Sequence, residues 1–299
     1  MFARLAVAAL LAGLAGCAPG ARVGTPAAGQ FTGPALAAAC AGRDGWSDPA
    51  PPARIFANVH YVGTCGITAL LVTSRAGHVL IDGATPEAAA GIVENIRRLG
   101  FDPRDVRILL NSHEHVDHAG GLAALKRQTG ATMIARAEGR QGLETGETDP
   151  SDPQAGTIPS FLGVKVERIL ADGEVVRLGP LALTSHATHG HTAGSTSWSW
   201  QSCEGGGCRR IVYADSLTAV GPPTYRFSNQ PLLVARFRAA FGRVAALECD
   251  ILITPHPSAS NVFERLAGRA PLSDPSACRR YAESARGRLD ERLAREAAR

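Results

Sequence analysis

A chain of 299 residues, 45% hydrophobic and 19% charged, with a mean hydropathy near zero, carries enough apolar material for one large core. Those proportions exclude an intrinsically disordered chain and a membrane-embedded one. The net charge of +4 is spread as single arginines, with Lys126 and Lys165 the two lysines, so nothing points to nucleic acid as a partner.

Residues 1–16 read as an export signal: Arg4 near the free amine, then an apolar run from Leu5 to Gly16, too short to span a bilayer as a permanent anchor. Leu14-Ala15-Gly16-Cys17 resembles a bacterial lipobox, in which Cys17 becomes the lipidated first residue; ordinary cleavage slightly downstream is the other route. Both lead to the periplasm, the first with attachment to the membrane. Residues 17–39 are rich in Ala, Gly, Pro and Thr without periodicity and are expected to form a tether, with one catalytic domain over 40–299.

Setting Cys17 aside leaves six cysteines, an even number in an exported chain, which suggests disulfides. Six cysteines permit 15 pairings, and sequence alone does not choose among them. The preferred set joins Cys40 to Cys65, Cys203 to Cys208 and Cys249 to Cys278 as structural staples, because no pair has Cys-x-x-Cys spacing.

Short β-branched runs at Arg54–Tyr61, Ile67–Thr73 and His78–Ile81 predict an antiparallel meander. Pro86 opens an Ala-rich helix ending before Gly100, and Val106–Leu110 is an apolar strand running into Asn111-Ser112-His113. A helix over Gly121–Gln128 and a strand over Thr132–Ala135 follow, and the polar stretch Gly139–Pro159 reads as a long loop. Strands resume at Val164–Ile169, Val175–Leu178, Leu181–Ser185, Ser195–Gln201 and Arg210–Tyr213. Pro231–Leu247 is helical, Ile251–Thr254 is the last strand, and Pro275–Arg299 is a charged terminal helix. Two similar runs of strands and helices predict a two-sheet sandwich with helices outside.

The chemistry sits at strand ends, where loops present side chains from a rigid scaffold. His113-Glu114-His115-Val116-Asp117-His118 packs three imidazoles and two carboxylates into six residues. Imidazole with one carboxylate suits zinc, and so many ligands on one turn cannot all reach a single ion, which implies two neighbouring metals completed from elsewhere. The remaining histidines are His60 and His78, inside predicted strands and read as structural; His186, His189 and His191, around a loop with flexible glycines; and His256, held between Pro255 and Pro257 after an apolar strand.

This pattern, His-x-His-x-Asp-His followed by a Gly-His-Thr loop and a later lone histidine, resembles the metallo-β-lactamase superfamily from about Trp46 to Glu264. Finer motifs resemble the third subclass of those lactamases: Tyr61-Val62-Gly63-Thr64, Gly190-His191-Thr192-x-Gly194-Ser195-Thr196, Tyr213-Ala214-Asp215-Ser216-Leu217-Thr218 and Thr254-Pro255-His256-Pro257-x-Ala259-Ser260-Asn261. The resemblance implies an α+β fold, an αββα sandwich of two mixed sheets with helices on the outer faces. It assigns His113, His115 and His191 to one zinc and Asp117, His118 and His256 to a second, two Zn2+ per chain. Ser216 and Thr218 become contacts for the substrate carboxylate. His189 departs from the subclass pattern, and His186 or His189 could compete with His191. The implied reaction is hydrolysis of the β-lactam amide of penicillins, cephalosporins and carbapenems by a metal-bridging hydroxide, oriented by Asp117 beside His118, in a monomer. A serine mechanism is excluded independently, since Ser-x-x-Lys is absent: the residues three before the lysines are Ala123 and Leu162. Thioesterases of the glyoxalase II kind and lactonases share the fold and ligands, and Asp215 separates them, because in those hydrolases an aspartate in this region bridges both metals. A secreted zinc-binding protein without catalysis would leave Asp117 and the substrate-side residues without a role.

Overall fold

The computed structural model describes residues 31–298. The export signal, Cys17 and the first part of the tether lie outside the described residues. The chain opens with helix α1 (Gly33–Ala39), then strands β1 (Ala53–Phe56), β2 (Val59–Tyr61), β3 (Leu70–Val72) and β4 (His78–Ile81), helix α2 (Ala89–Arg98) and β5 (Val106–Leu110). Helices α3 (Val116–Ala119) and α4 (Leu122–Thr129), strand β6 (Thr132–Arg136), helix α5 (Arg140–Thr145) and strand β7 (Arg168–Leu170) complete the first half. The second half holds β8 (Val175–Leu178), β9 (Leu181–Ala187), β10 (Thr196–Glu204), β11 (Gly207–Tyr213), α6 (Pro231–Ala245), β12 (Ile251–Ile253), α7 (Val262–Leu266) and α8 (Ala277–Ala297).

Strands β1 to β7 form one sheet in sequence order, antiparallel as far as β4 and parallel from β4 to β7. Strands β12-β11-β10-β9-β8 form the other, antiparallel except where β12 joins β11. Period-2 alternation gives several strands two buried faces, as in β3, β4 and β12, which are buried at every position. Val79 and Ile81, with Ile108 and Leu110, point between the sheets to meet Leu183, Trp198, Ile211 and Tyr213. Their neighbours Leu80 and Leu109 point outward under Ile92, Ile96, Leu122 and Leu125 of α2 and α4. On the opposite side Val212 and Leu252 meet Phe237, Phe241, Ala282 and Leu289 of α6 and α8. The four layers are the expected αββα sandwich of two mixed sheets.

Three local expectations are corrected. The tether does not extend to Ala39: Thr32 caps α1 through its Oγ1, Pro34 favours its first turn, and Leu36 is fully buried in the inter-sheet core. The run Arg54–Tyr61 is a hairpin, not one strand, turned at Ala57 (φ 47°) and braced by Asn58 Nδ2 donating to Thr73 O at 2.7 Å. The loop Gly139–Pro159 begins with α5, whose Leu143 is fully buried and whose end is set by Gly146 in the left-handed region (φ 73°). The preferred disulfides are all formed, with Cα separations of 5.2 Å for Cys40–Cys65, 4.0 Å for Cys203–Cys208 across the β10–β11 hairpin, and 6.1 Å for Cys249–Cys278, which ties α8 to the start of β12.

Candidate metal centre

Strand β5 ends at the seam between the sheets, and the opposite sheet holds it there. Trp198 Nε1 donates to Asn111 O at 2.9 Å and Thr196 N to Ser112 O at 2.7 Å. His113 therefore emerges at a fixed point, and the next turn folds into α3, placing Asp117 and His118 on one short helix. Glu114 points the other way, accepting from Thr192 Oγ1 at 2.7 Å and Gly194 N at 2.9 Å, and so pins the His191 loop against the first loop. This close approach requires glycine: a Cβ on Gly194 would lie 2.4 Å from Gly139 Cα and 2.6 Å from Glu114 Oε2.

The ligand atoms of His113, His115 and His191 lie within 4.8 Å of one another, as do those of His113, Asp117 and His118, and either group could hold a metal ion. His256 joins from the turn after β12, its Nε2 3.4 Å from Asp117 Oδ2 and its ring centroid 5.0 Å from that of His118. Outside this cluster, each imidazole of the first group is held by its remote nitrogen. His113 Nδ1 lies 2.8 Å from Asp215 Oδ1, His115 Nε2 2.9 Å from Asp152 Oδ2, and His191 Nδ1 2.8 Å from Thr218 O. Those acceptors fix the tautomers and leave His113 Nε2, His115 Nδ1 and His191 Nε2 for a cation. His113 Nε2 is buried without a hydrogen-bond partner, which is the condition of a ligand atom.

Electrostatics point the same way. Burial, reinforced by the neighbouring imidazoles, lowers His113 well below the ordinary histidine value, and burial lowers His191 to about 3 and His256 to about 4, so these rings stand in the neutral, ligating form. Burial also opposes the charge on His118, but Asp117, 3.0 Å from its Nε2, outweighs it and raises His118 to about 10. Asp117 is correspondingly held below the usual carboxylate range, its burial overcome by His118 and His256. A proton on His118 thus occupies the place a metal cation can take, since binding releases it. Burial pushes Asp215 well up, and its Oδ2 is without a partner, so a nearby cation favours its carboxylate form.

The remaining expected residues fall as follows. Ser216 is buried beside Asp215, and Thr218 is exposed at the rim while its carbonyl holds His191. His186 and His189 do not compete with His191: His186 Nε2 bonds Ser199 Oγ at 2.7 Å, and His189 lies between Ala193 O (2.6 Å) and Arg136 Nη2 (3.2 Å). His60 and His78 flank Phe101 edge-on, with ring centroids 5.3 and 4.9 Å away. Asp215 stands behind His113, at the ring nitrogen remote from the cluster. Sequence reasoning missed two carboxylates. Asp82, fully buried at the end of β4, accepts from Ser112 N (2.6 Å), Ser112 Oγ (2.7 Å) and Tyr213 OH (2.6 Å), and lies 3.7 Å from His118 Nδ1. Its position after an apolar strand is the signal that marks the other site loops. Asp152 lies in a polar stretch with no such signal. Trp46, 48% exposed, forms a wall beside His256 with ring centroids 6.3 Å apart.

Comparison with known proteins gives a consistent answer. Residues 62–201 match the family described as the metallo-beta-lactamase superfamily. Metallo-β-lactamase MIM-1 from Novosphingobium pentaromativorans is 53% identical and superposes with a TM-score of 0.87, over 88% of this chain and 98% of that one. MEM-A1, a subclass B3 metallo-β-lactamase from a soil metagenome library, is 45% identical with a TM-score of 0.82, over 85% of this chain and 99% of that one. More distant relatives are a hydroxyacylglutathione hydrolase of Anaeromyxobacter dehalogenans, 28% identical over 76% of this chain and 72% of its own length, and the Bacillus subtilis protein YobT, 29% identical, of which the match spans 56%. With its ligand-bearing loops at the sheet seam and near-complete coverage of these solved lactamases, the chain belongs to the metallo-β-lactamase superfamily, alongside subclass B3 enzymes.

Proposed function

We propose that this protein is a zinc-dependent β-lactamase that hydrolyses the lactam amide of penicillins, cephalosporins and carbapenems and so confers resistance to them. The observation that carries the reading is the 53% identity to a metallo-β-lactamase across 98% of that enzyme's length, together with two groups of residues in the same chain that could hold a metal ion. His113, His115 and His191 would hold one zinc, and Asp117, His118 and His256 a second. When bound, the ions supply Lewis acidity and a water acidified to near-neutral pKa. The protein's part is positional. Asp215 and the Thr218 carbonyl orient their histidines, Asp117 would orient the reacting water, and Ser216 and Thr218 would receive the substrate carboxylate. No side chain is required as a nucleophile. Asp215 meets His113 at the ring nitrogen remote from the cluster, through Oδ1, and this position behind the ring favours the lactamase over the thioesterase or lactonase reading, where an aspartate bridges the metals.

The three disulfides support a periplasmic location reached by the amino-terminal signal. No described helix is long and apolar enough to cross a membrane. Mass spectrometry of the mature amino terminus decides between a lipidated Cys17 and simple cleavage, and light scattering tests the expected monomer.

Purified protein is assayed on a chromogenic cephalosporin and a carbapenem, with and without a zinc chelator, in parallel with a glutathione thioester and an acyl-homoserine lactone. Chelator-sensitive turnover of the lactams is expected. Turnover of the thioester or lactone alone would overturn the reading. His118→Ala should lower bound zinc from about two per chain towards one, since each ion needs about three protein ligands; unchanged zinc content refutes the ligand assignment.

A further inference from the structure

The stretch between Thr148 and Ser160 is held together by its own turns. Asp149 Oδ1 accepts from Ser151 N (2.7 Å) and Ser151 Oγ (2.6 Å), Asp152 N donates to Asp149 O (2.9 Å), and Thr157 N and Oγ1 donate to Gln154 O at 3.0 and 2.7 Å. Among the described residues, one hydrogen bond leaves this stretch: Asp152 Oδ2 with His115 Nε2 at 2.9 Å, both side chains 4% exposed. Asp152 Oδ1 accepts from Gln154 N at 2.7 Å, so the carboxylate is fixed to its own loop by one oxygen and to the metal centre by the other. The loop lies beside the first ligand group. Asp149, Asp152 and Pro153 line a small pocket with His191 and Thr192, and Pro153 abuts Gly221 of the loop that follows Thr218.

We infer that Asp152 is a positioning residue that couples this loop to the first zinc site: it sets the tautomer of His115, presenting Nδ1 to the metal, and the metal in turn holds the loop down. The inference rests on the zinc-centre reading given above, but not on which substrate is hydrolysed. His113 and His191 take their orienting acceptors from the segment after β11, whereas His115 takes its acceptor from a loop that, among the described residues, has no other hydrogen bond to the body of the protein. Coupling between two sites is reciprocal, so whatever the loop contributes to zinc binding, zinc returns to loop closure. Opening of the loop to admit a bulky substrate then loosens His115, and metal loss frees the loop.

The test uses the full mature protein with two readouts that do not involve turnover. Zinc affinity is measured by competition with a chromophoric chelator, and amide hydrogen exchange is followed in peptides covering residues 149–157, with and without zinc. Loss of an outer carboxylate partner lowers metal affinity by about 10- to 100-fold, so Asp152→Ala should weaken the zinc held by His113, His115 and His191 by that factor. Exchange in 149–157 should accelerate on zinc removal in the wild type and be equally fast with and without zinc in Asp152→Ala. Asp149→Ala, which loosens the loop's turn but leaves the His115 contact, should change zinc affinity by less than about threefold. The inference is overturned if Asp152→Ala binds zinc as tightly as wild type, if Asp149→Ala weakens it equally, or if exchange in 149–157 ignores zinc. Wild-type protein that shows the coupling yet hydrolyses no lactam leaves this inference standing and removes the lactamase reading. Wild-type protein that binds no zinc removes both.

Discussion

Replacing Asp82 isolates the contact on which the site is built. The carboxylate receives three hydrogen bonds from fully buried groups: Ser112 N, Ser112 Oγ and Tyr213 OH. In Asp82→Ala the Ser112 amide is left without its acceptor, which costs about 1–3 kcal/mol. The two hydroxyls have only poorer alternatives, Tyr213 OH to Thr68 O at 3.3 Å and Ser112 Oγ to His113 Nδ1 at 3.4 Å, adding about 1 kcal/mol each. Residue 82 also sits at φ 65°, a conformation that Asp and Asn tolerate better than Ala by about 1 kcal/mol. The sum is a loss of about 4–6 kcal/mol, a large share of a typical folding stability. Asp82→Asn keeps the shape, the backbone tolerance and an oxygen for Ser112 N, while both hydroxyls can turn to accept from the amide, so about 1–2 kcal/mol is expected. What Asn does lose is the negative charge facing His118 Nδ1, so its zinc affinity should fall more than its stability. Urea unfolding of the metal-free proteins reads the first effect: at a slope of about 3 kcal/mol/M, Asp82→Ala should shift the midpoint by about 1 M or more. If Ala and Asn variants unfold together, within about 1 kcal/mol of wild type, the reasoning about stranded donors is wrong.

Other outcomes follow from the same structure. Burial lowers His60 to about 4, aided by Arg54, while the unfolded chain titrates near 6.5; stability is therefore fully present above pH 6.5 and is lost as pH falls towards 4. His60→Leu should remove about 2–3 kcal/mol of the difference between zinc-free unfolding at pH 7 and at pH 4.5, and an unchanged difference refutes the role of burial. Opening the Cys249–Cys278 link, which spans 29 residues, should cost about 3–4 kcal/mol, against about 2 kcal/mol for the five-residue Cys203–Cys208 link, if restriction of the unfolded chain dominates; melting of the two double Cys→Ser variants ranks them. Trp46→Ala should raise KM several-fold for lactams with large side chains and leave zinc content unchanged; equal effects on small and large lactams would mean that Trp46 does not wall the cleft.

Much of the site was legible because its residues are local in sequence. The cluster from His113 to His118 is contiguous, and His191 and His256 each follow an apolar strand, so loop and ligand could be read together. The ranges of β4, β5 and β8 were legible for the same reason, being short runs dominated by aliphatic and β-branched residues with a single polar residue in each. Less visible were features decided by contacts distant along the chain. The turn at Ala57 depends on Asn58 reaching Thr73, and α5 depends on Leu143 finding the core beneath a polar surface. Asp152 acquires its place only when a loop of small and polar residues folds back 37 positions to His115.

The Tyr213–Asp82 contact has a consequence for how the molecule is assembled. Tyr213 belongs to the second sheet and Asp82 to the end of a strand in the first, so the phenol and carboxylate are both buried only when the sheets have closed. Either half alone would expose a charged oxygen and a hydroxyl on an otherwise oily face, and would own only part of the metal centre. Folding intermediates with one sheet complete are thereby disfavoured, and polypeptides divided between β7 and β8 should recover a metal centre only as a reassembled pair.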